Sequence, residues 1–105
     1  MKGFFVGGAL LLLLAWTGLA SAHTPLCACY DNGDGTVTCE GGFSDGSSAA
    51  GVEMRVEDKA GNVLEKGKMN ELSEFVFKKP DGDYKIVFYA GPGHDIVIDG
   101  KDVSE

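Results

Sequence analysis

The apolar positions of this chain fall into two unlike regimes. Phe4 to Trp16 is apolar apart from glycines, and Leu10 to Leu14 is an unbroken leucine run. From Leu26 onward the apolar residues come in short stretches that alternate with polar ones, and Gly, Asp, Asn and Pro cut the stretches apart. A period of two marks strands with one buried face. Leu26–Tyr30 reads as a first strand and Thr36–Phe43 as a second, with Val37 and Cys39 on one face. Val52–Glu57 turns Val52, Met54 and Val56 inward and Glu53, Arg55 and Glu57 outward. Val63–Glu65 is a short strand, followed by a polar link over Lys66–Ser73. Glu74–Lys78 sets Phe75 and Phe77 on one face, Tyr84–Ala90 aligns Tyr84, Ile86 and Phe88, and Asp95–Asp99 aligns Ile96 and Ile98.

Between these stretches lie strong turn signals: Asp31–Gly35, Asp58–Asn62, Pro80–Asp83 and Gly91-Pro92-Gly93. Residues 70–75 carry a helical hint too short to form an element. Seven short strands at this spacing predict an all-β fold, a seven-stranded β-sandwich of immunoglobulin or prealbumin type. If Tyr30 faces Thr36 across the first turn, Cys27 falls opposite Cys39, and Cys29 lies one diagonal step away on the same face. Either Cys27 or Cys29 is then a disulfide partner for Cys39.

The first regime reads as an export signal. Lys2 supplies the positive start, the leucine run the apolar centre, and Ala20-Ser21-Ala22 the small residues that a signal peptidase reads. Cleavage after Ala22 gives a signal peptide over 1–22 and one domain over 23–105, periplasmic or secreted, or membrane-tethered where the leader is retained. Thr24-Pro25-Leu26 ahead of Cys27 does not form a lipidation signal. In an oxidising compartment two of the three cysteines pair and one is left over. Sixteen acidic residues against nine basic ones give a formal net charge of −7. That charge disfavours nucleic acid and anionic membrane surfaces and suits cations.

Candidate chemistry is sparse. A mature chain starting at His23 would present an α-amine and an imidazole in one chelate, a donor pair for Ni(II), Co(II) or Cu(II). His94 follows the Gly91-Pro92-Gly93 corner and precedes Asp95, so His23, His94 and Asp95 form a chemically sensible divalent-metal set. The plainer reading makes His23 an accident of the cleavage point and His94 a solvated loop residue. Cys27, Cys29 and Cys39 would put three sulfurs on one face, which soft metals accept; one disulfide and one spare thiol is the favoured alternative. Asp31-Asn32-Gly33-Asp34-Gly35 fails the calcium-loop pattern in either register and reads as a hairpin turn. No G-x-S-x-G and no placed acid–base pair occurs, so the chain reads as non-enzymatic.

Gly42 to His94 resembles a known family. Gly42-Phe43-Ser44-Asp45-Gly46 leading into Val52-Glu53-Met54-Arg55-Val56, then Asp58-Lys59-Ala60-Gly61-Asn62-Val63-Leu64, Phe75-Val76-Phe77 before Pro80, and Ala90-Gly91-Pro92-Gly93-His94 follow one another in the order of its motifs. The family is the carboxypeptidase-regulatory-like domain of bacterial nickel/cobalt uptake systems of the energy-coupling-factor type. The resemblance implies a sandwich fold and an exported or tethered accessory role beside membrane transporter components. It also implies metal contacts at His23 and His94. The three cysteines and Met69-Asn70 depart from the pattern. Two other classes stand beside this one: a scaffold sandwich that binds proteins through strand edges, and a copper-binding protein with an N-terminal histidine.

Overall fold

The computed structural model describes residues 24–104; the expected leader and His23 lie outside the described residues. Seven strands follow one another: β1 (Pro25–Asp31), β2 (Thr36–Phe43), β3 (Glu53–Asp58), β4 (Val63–Lys68), β5 (Glu74–Lys78), β6 (Tyr84–Tyr89) and β7 (Asp95–Asp99). A single 3₁₀ turn over Gly100–Asp102 comes after β7, capped by the Asp99 carboxylate, which accepts from the Lys101 N–H. The described residues contain no α-helix. Two antiparallel sheets form, one ordered β1-β2-β5 and the other β4-β3-β6-β7. The all-β, two-sheet expectation is met.

The alternation seen in the sequence builds the core. Val37, Cys39 and Phe77 from the first sheet meet Met54, Val56, Tyr84, Ile86 and Phe88 from the second, all buried. Aromatic contacts tie the layers: Phe43 lies 6.2 Å from Phe88, and Phe77 meets Tyr84 edge-on at 6.0 Å. On the outer face of the second sheet, Arg55 bonds Glu53 at 2.7 Å and Glu57 at 3.2 Å, while Lys66 and Lys85 reach the same two carboxylates. Part of the acidic charge is thus used in a surface lattice.

Two expectations need correction. The β1–β2 register differs by two: Tyr30 faces Thr38, Cys29 faces Cys39, and Cys27 faces Gly41. The turn is centred one residue later than expected. Asp31 stays in the strand and caps Gly33 through Oδ1, while Asp34 Oδ1 caps the Thr36 N–H. Gly33 and Gly35 hold φ of 80° and 92°, which suits glycine. A slip of two keeps every side chain on its face and changes only its partner. The second correction is β4, which runs on to Lys68 and so takes in the first three residues of the expected polar link. It is an edge strand whose Lys66 points to the charged outer face, and Gly67 stands where a Cβ would come within 2.6 Å of the Phe75 ring. A polar sequence can hold a strand there because one side needs no core residue.

The C-terminal segment crosses from the second sheet back to the first. The Asp31 backbone N–H donates to the Ser104 carbonyl at 2.7 Å, and Tyr30 and Ser104 form a parallel bridge. One end of edge strand β1 is thereby covered.

Candidate functional site

The Gly91–His94 corner is a β-turn built by its sequence. Pro92 fits the second position, Gly93 takes φ of 76° at the third, and the His94 N–H donates to the Gly91 carbonyl at 2.9 Å. That is the residue pattern of a type II turn. It delivers His94 to an open depression of about 410 Å³ lined by Phe43, Ser47, Ala90 and His94. The imidazole is exposed, and its Nδ1 lies 3.1 Å from the Pro92 carbonyl oxygen. A carbonyl only accepts, so in the neutral ring Nδ1 carries the proton and Nε2 keeps the lone pair. Metal-binding histidines have this arrangement: the second nitrogen is anchored to an acceptor and the first is left to coordinate.

The start of the described chain lies at the same end. Thr24 and Ser44 exchange two hydrogen bonds: the Thr24 N–H donates to Ser44 Oγ at 3.1 Å, and the Ser44 N–H donates to the Thr24 carbonyl at 2.9 Å. Pro25 pairs with Phe43, which lines the depression. His23, the next residue upstream, is outside the described residues. Asp95 opens β7 and alternates with Ile96 and Ile98, so it takes the outer face with Val97 and Asp99. The turn thus sends His94 to the depression and the strand sends Asp95 outward. Asp45, which the sequence reading passed over, is tied to a lining residue, since its Oδ1 accepts from the Ser47 N–H at 2.9 Å and from the Ser47 hydroxyl. The signal for it was Asp-x-Ser, an Asx turn beside the family-like Phe43-Ser44-Asp45-Gly46 stretch.

The cysteines resolve into a cross-strand Cys29–Cys39 disulfide and a free, half-buried Cys27. Burial pushes the Cys27 thiol up to about 11, so at neutral pH it is protonated. Among the described residues, these three cysteines are the one group of His, Cys, Asp or Glu close enough to share an ion. Among the described residues, His94 belongs to no such group of three. No charged side chain is buried among the described residues. No family model, curated protein or solved structure matches the chain.

Proposed function

We propose that this chain is an exported accessory domain, of the carboxypeptidase-regulatory-like type, that binds a divalent transition metal and passes it to a membrane uptake system. Nickel or cobalt is the first cargo and copper the alternative. The ligands are the α-amine and imidazole of His23, freed by cleavage after Ala22, together with Nε2 of His94. Asp95, the fourth contact expected from sequence, lies on the outer face of β7, and Asp45 is the carboxylate tied to the depression. The observation that carries the reading is a shared location: Thr24 is bonded to Ser44 beside Phe43, and His94 lines the depression with Phe43 and Ser47. One peptide link spans about 3.8 Å between Cα atoms, so His23 is tethered close to Thr24. The pinned Nδ1 of His94 supports it further. Adding Ni(II) to processed protein, with the imidazole NMR signals followed, tests the reading. Both rings respond at micromolar metal if it holds; unchanged ring signals reject it.

A second class has one observation in its favour. Edge strand β4 leaves Val63 and Leu64 each 51% exposed, a surface on which a partner strand could add. Partners recovered equally well with and without chelator would favour this scaffold reading.

A further inference from the structure

The first sheet carries a sulfur cluster that the histidine reading does not use. The Sγ atoms of Cys27, Cys29 and Cys39 all lie within 4.8 Å of one another. Topology produces this closeness. Cys27 and Cys29 stand two residues apart on β1 and share a face, and Cys39 sits directly across from Cys29 on β2. Three sulfurs bound to one ion at about 2.3 Å stand roughly 4 Å apart. The three side chains therefore start from one place on the sheet; once the Cys29–Cys39 bond is broken, that pair has only to part by side-chain rotation to reach the spacing of a shared ion, and the intact bond is what closes the site.

We infer that the reduced protein binds one Cu(I) ion in a three-sulfur site formed by Cys27, Cys29 and Cys39. Three observations select this ion over Zn(II). Structural zinc takes four ligands, and among the described residues no His, Asp, Glu or fourth Cys joins the cluster. Cys29 and Cys39 are buried, which leaves little access for water as a fourth ligand. The neighbouring donor is soft: a Cβ at Gly41, the cross-strand partner of Cys27, would stand 2.6 Å from Met69 Sδ, so a thioether borders the same face. Thiolate and thioether sulfur favour Cu(I). Cys27, half-buried on edge strand β1, provides the way in.

Opening the site is a two-electron step. A dithiol reductant breaks the Cys29–Cys39 S–S bond, its own two thiols become a disulfide, and their two protons pass to the cysteine sulfurs. Copper then enters as Cu(I), three Cu–S bonds form, and the displaced thiol protons leave to solvent. The copper does not change oxidation state. The disulfide thus acts as a gate: oxidised protein holds no copper at this site and reduced protein does.

The test is competition for Cu(I) held by a chromophoric chelator, run on oxidised and reduced protein, with sulfur coordination read from copper-edge X-ray absorption. Reduced protein is expected to take one equivalent with three sulfur neighbours, and oxidised protein none. Cys27→Ser, which leaves the disulfide pair in place, should weaken the reduced protein's hold at least tenfold, and Cys27→Ala should do the same. His94→Ala should keep the copper while losing nickel, which separates failure of this site from failure of the histidine site. Equal binding by reduced wild type and Cys27→Ser overturns the inference, as does equal uptake by oxidised protein or one-for-one replacement of Cu(I) by Zn(II). Circular dichroism covers the case in which reduction loosens the fold. There, Cu(I) must restore the strand signal, and no recovery counts against the site.

Discussion

Gly41 is where the packing of the two sheets makes its sharpest demand. It lies on β2, between Cys39 and Phe43 on the inward face. A Cβ there would stand 2.6 Å from Met69 Sδ and 2.7 Å from Phe88 Cε2. The two neighbours differ in how far they can yield. Met69 is a flexible side chain, but it is buried. Phe88 is fully buried and packs against Phe43, so its ring has no room to retreat. Gly41→Ala is therefore overpacking that one neighbour can relieve only in part, with an expected loss of about 2 kcal/mol. For a domain of this size such a loss lowers Tm by about 10 °C. Thermal unfolding of the oxidised protein measures it. A double-mutant cycle with Met69→Ala sharpens the assay, because emptying the Met69 side chain leaves space for the new methyl. The alanine at 41 should then cost at least about 1 kcal/mol less than it does in the wild-type background. An unchanged Tm for Gly41→Ala, or strict additivity in the cycle, would refute the packing argument.

Further expectations concern the disulfide, a buried hydroxyl and the acid limb of stability. Breaking the ten-residue Cys29–Cys39 link with Cys39→Ala should cost about 3 kcal/mol from loop closure alone, whereas Cys27→Ser should move the denaturation midpoint far less. Tyr84 is buried and its hydroxyl has no hydrogen-bond partner, so Tyr84→Phe should leave stability unchanged or raise it by about 1 kcal/mol in urea unfolding. Asp31, Asp34 and Asp58 are held below the usual carboxylate range, by Lys79, by Thr36 and by Asn62 first. Their folded-state values are depressed, so their stabilisation is complete above the unfolded value near 3.8 and is lost as pH falls through the folded values. A Tm-against-pH curve should fall on that acid side, and Asp58→Asn should make the fall shallower; an identical slope contradicts the assignment.

The strands that carry a core face were legible because alternation fixes a face whatever the partner. Glu74–Lys78 and Asp95–Asp99 match the structure at both ends, and Tyr84, Ile86 and Phe88 are buried as their spacing required. Partnership was less legible. Two hairpin registers two residues apart bury the same side chains, and the turn's own bonds, the caps from Asp31 and Asp34 and the Asn32 amide on Thr36 and Thr38, go with the observed one. That register selected Cys29 over Cys27 as the partner of Cys39. Ala49 and Met69 were invisible as core because they lie in connecting segments, outside any alternating run. They are buried because those segments pair with each other, Gly51 donating to the Met69 carbonyl and Met69 to that of Val52. At the candidate site, the glycine–proline–glycine corner announced an exposed His94. Its shared depression with Phe43 and Ser47 depends on contacts some fifty residues apart in sequence, and no local pattern encodes them.

The metal-delivery account stands or falls on a free amine at residue 23 acting together with His94. Nickel affinity, measured by calorimetry on three forms, addresses both halves: protein beginning at His23, the same protein with Ala22 retained, and the His23-start protein carrying His94→Ala. Retaining Ala22 buries the amine in a peptide bond and should weaken binding at least tenfold, and the His94 substitution should do likewise. Equal affinity for all three forms would contradict the account.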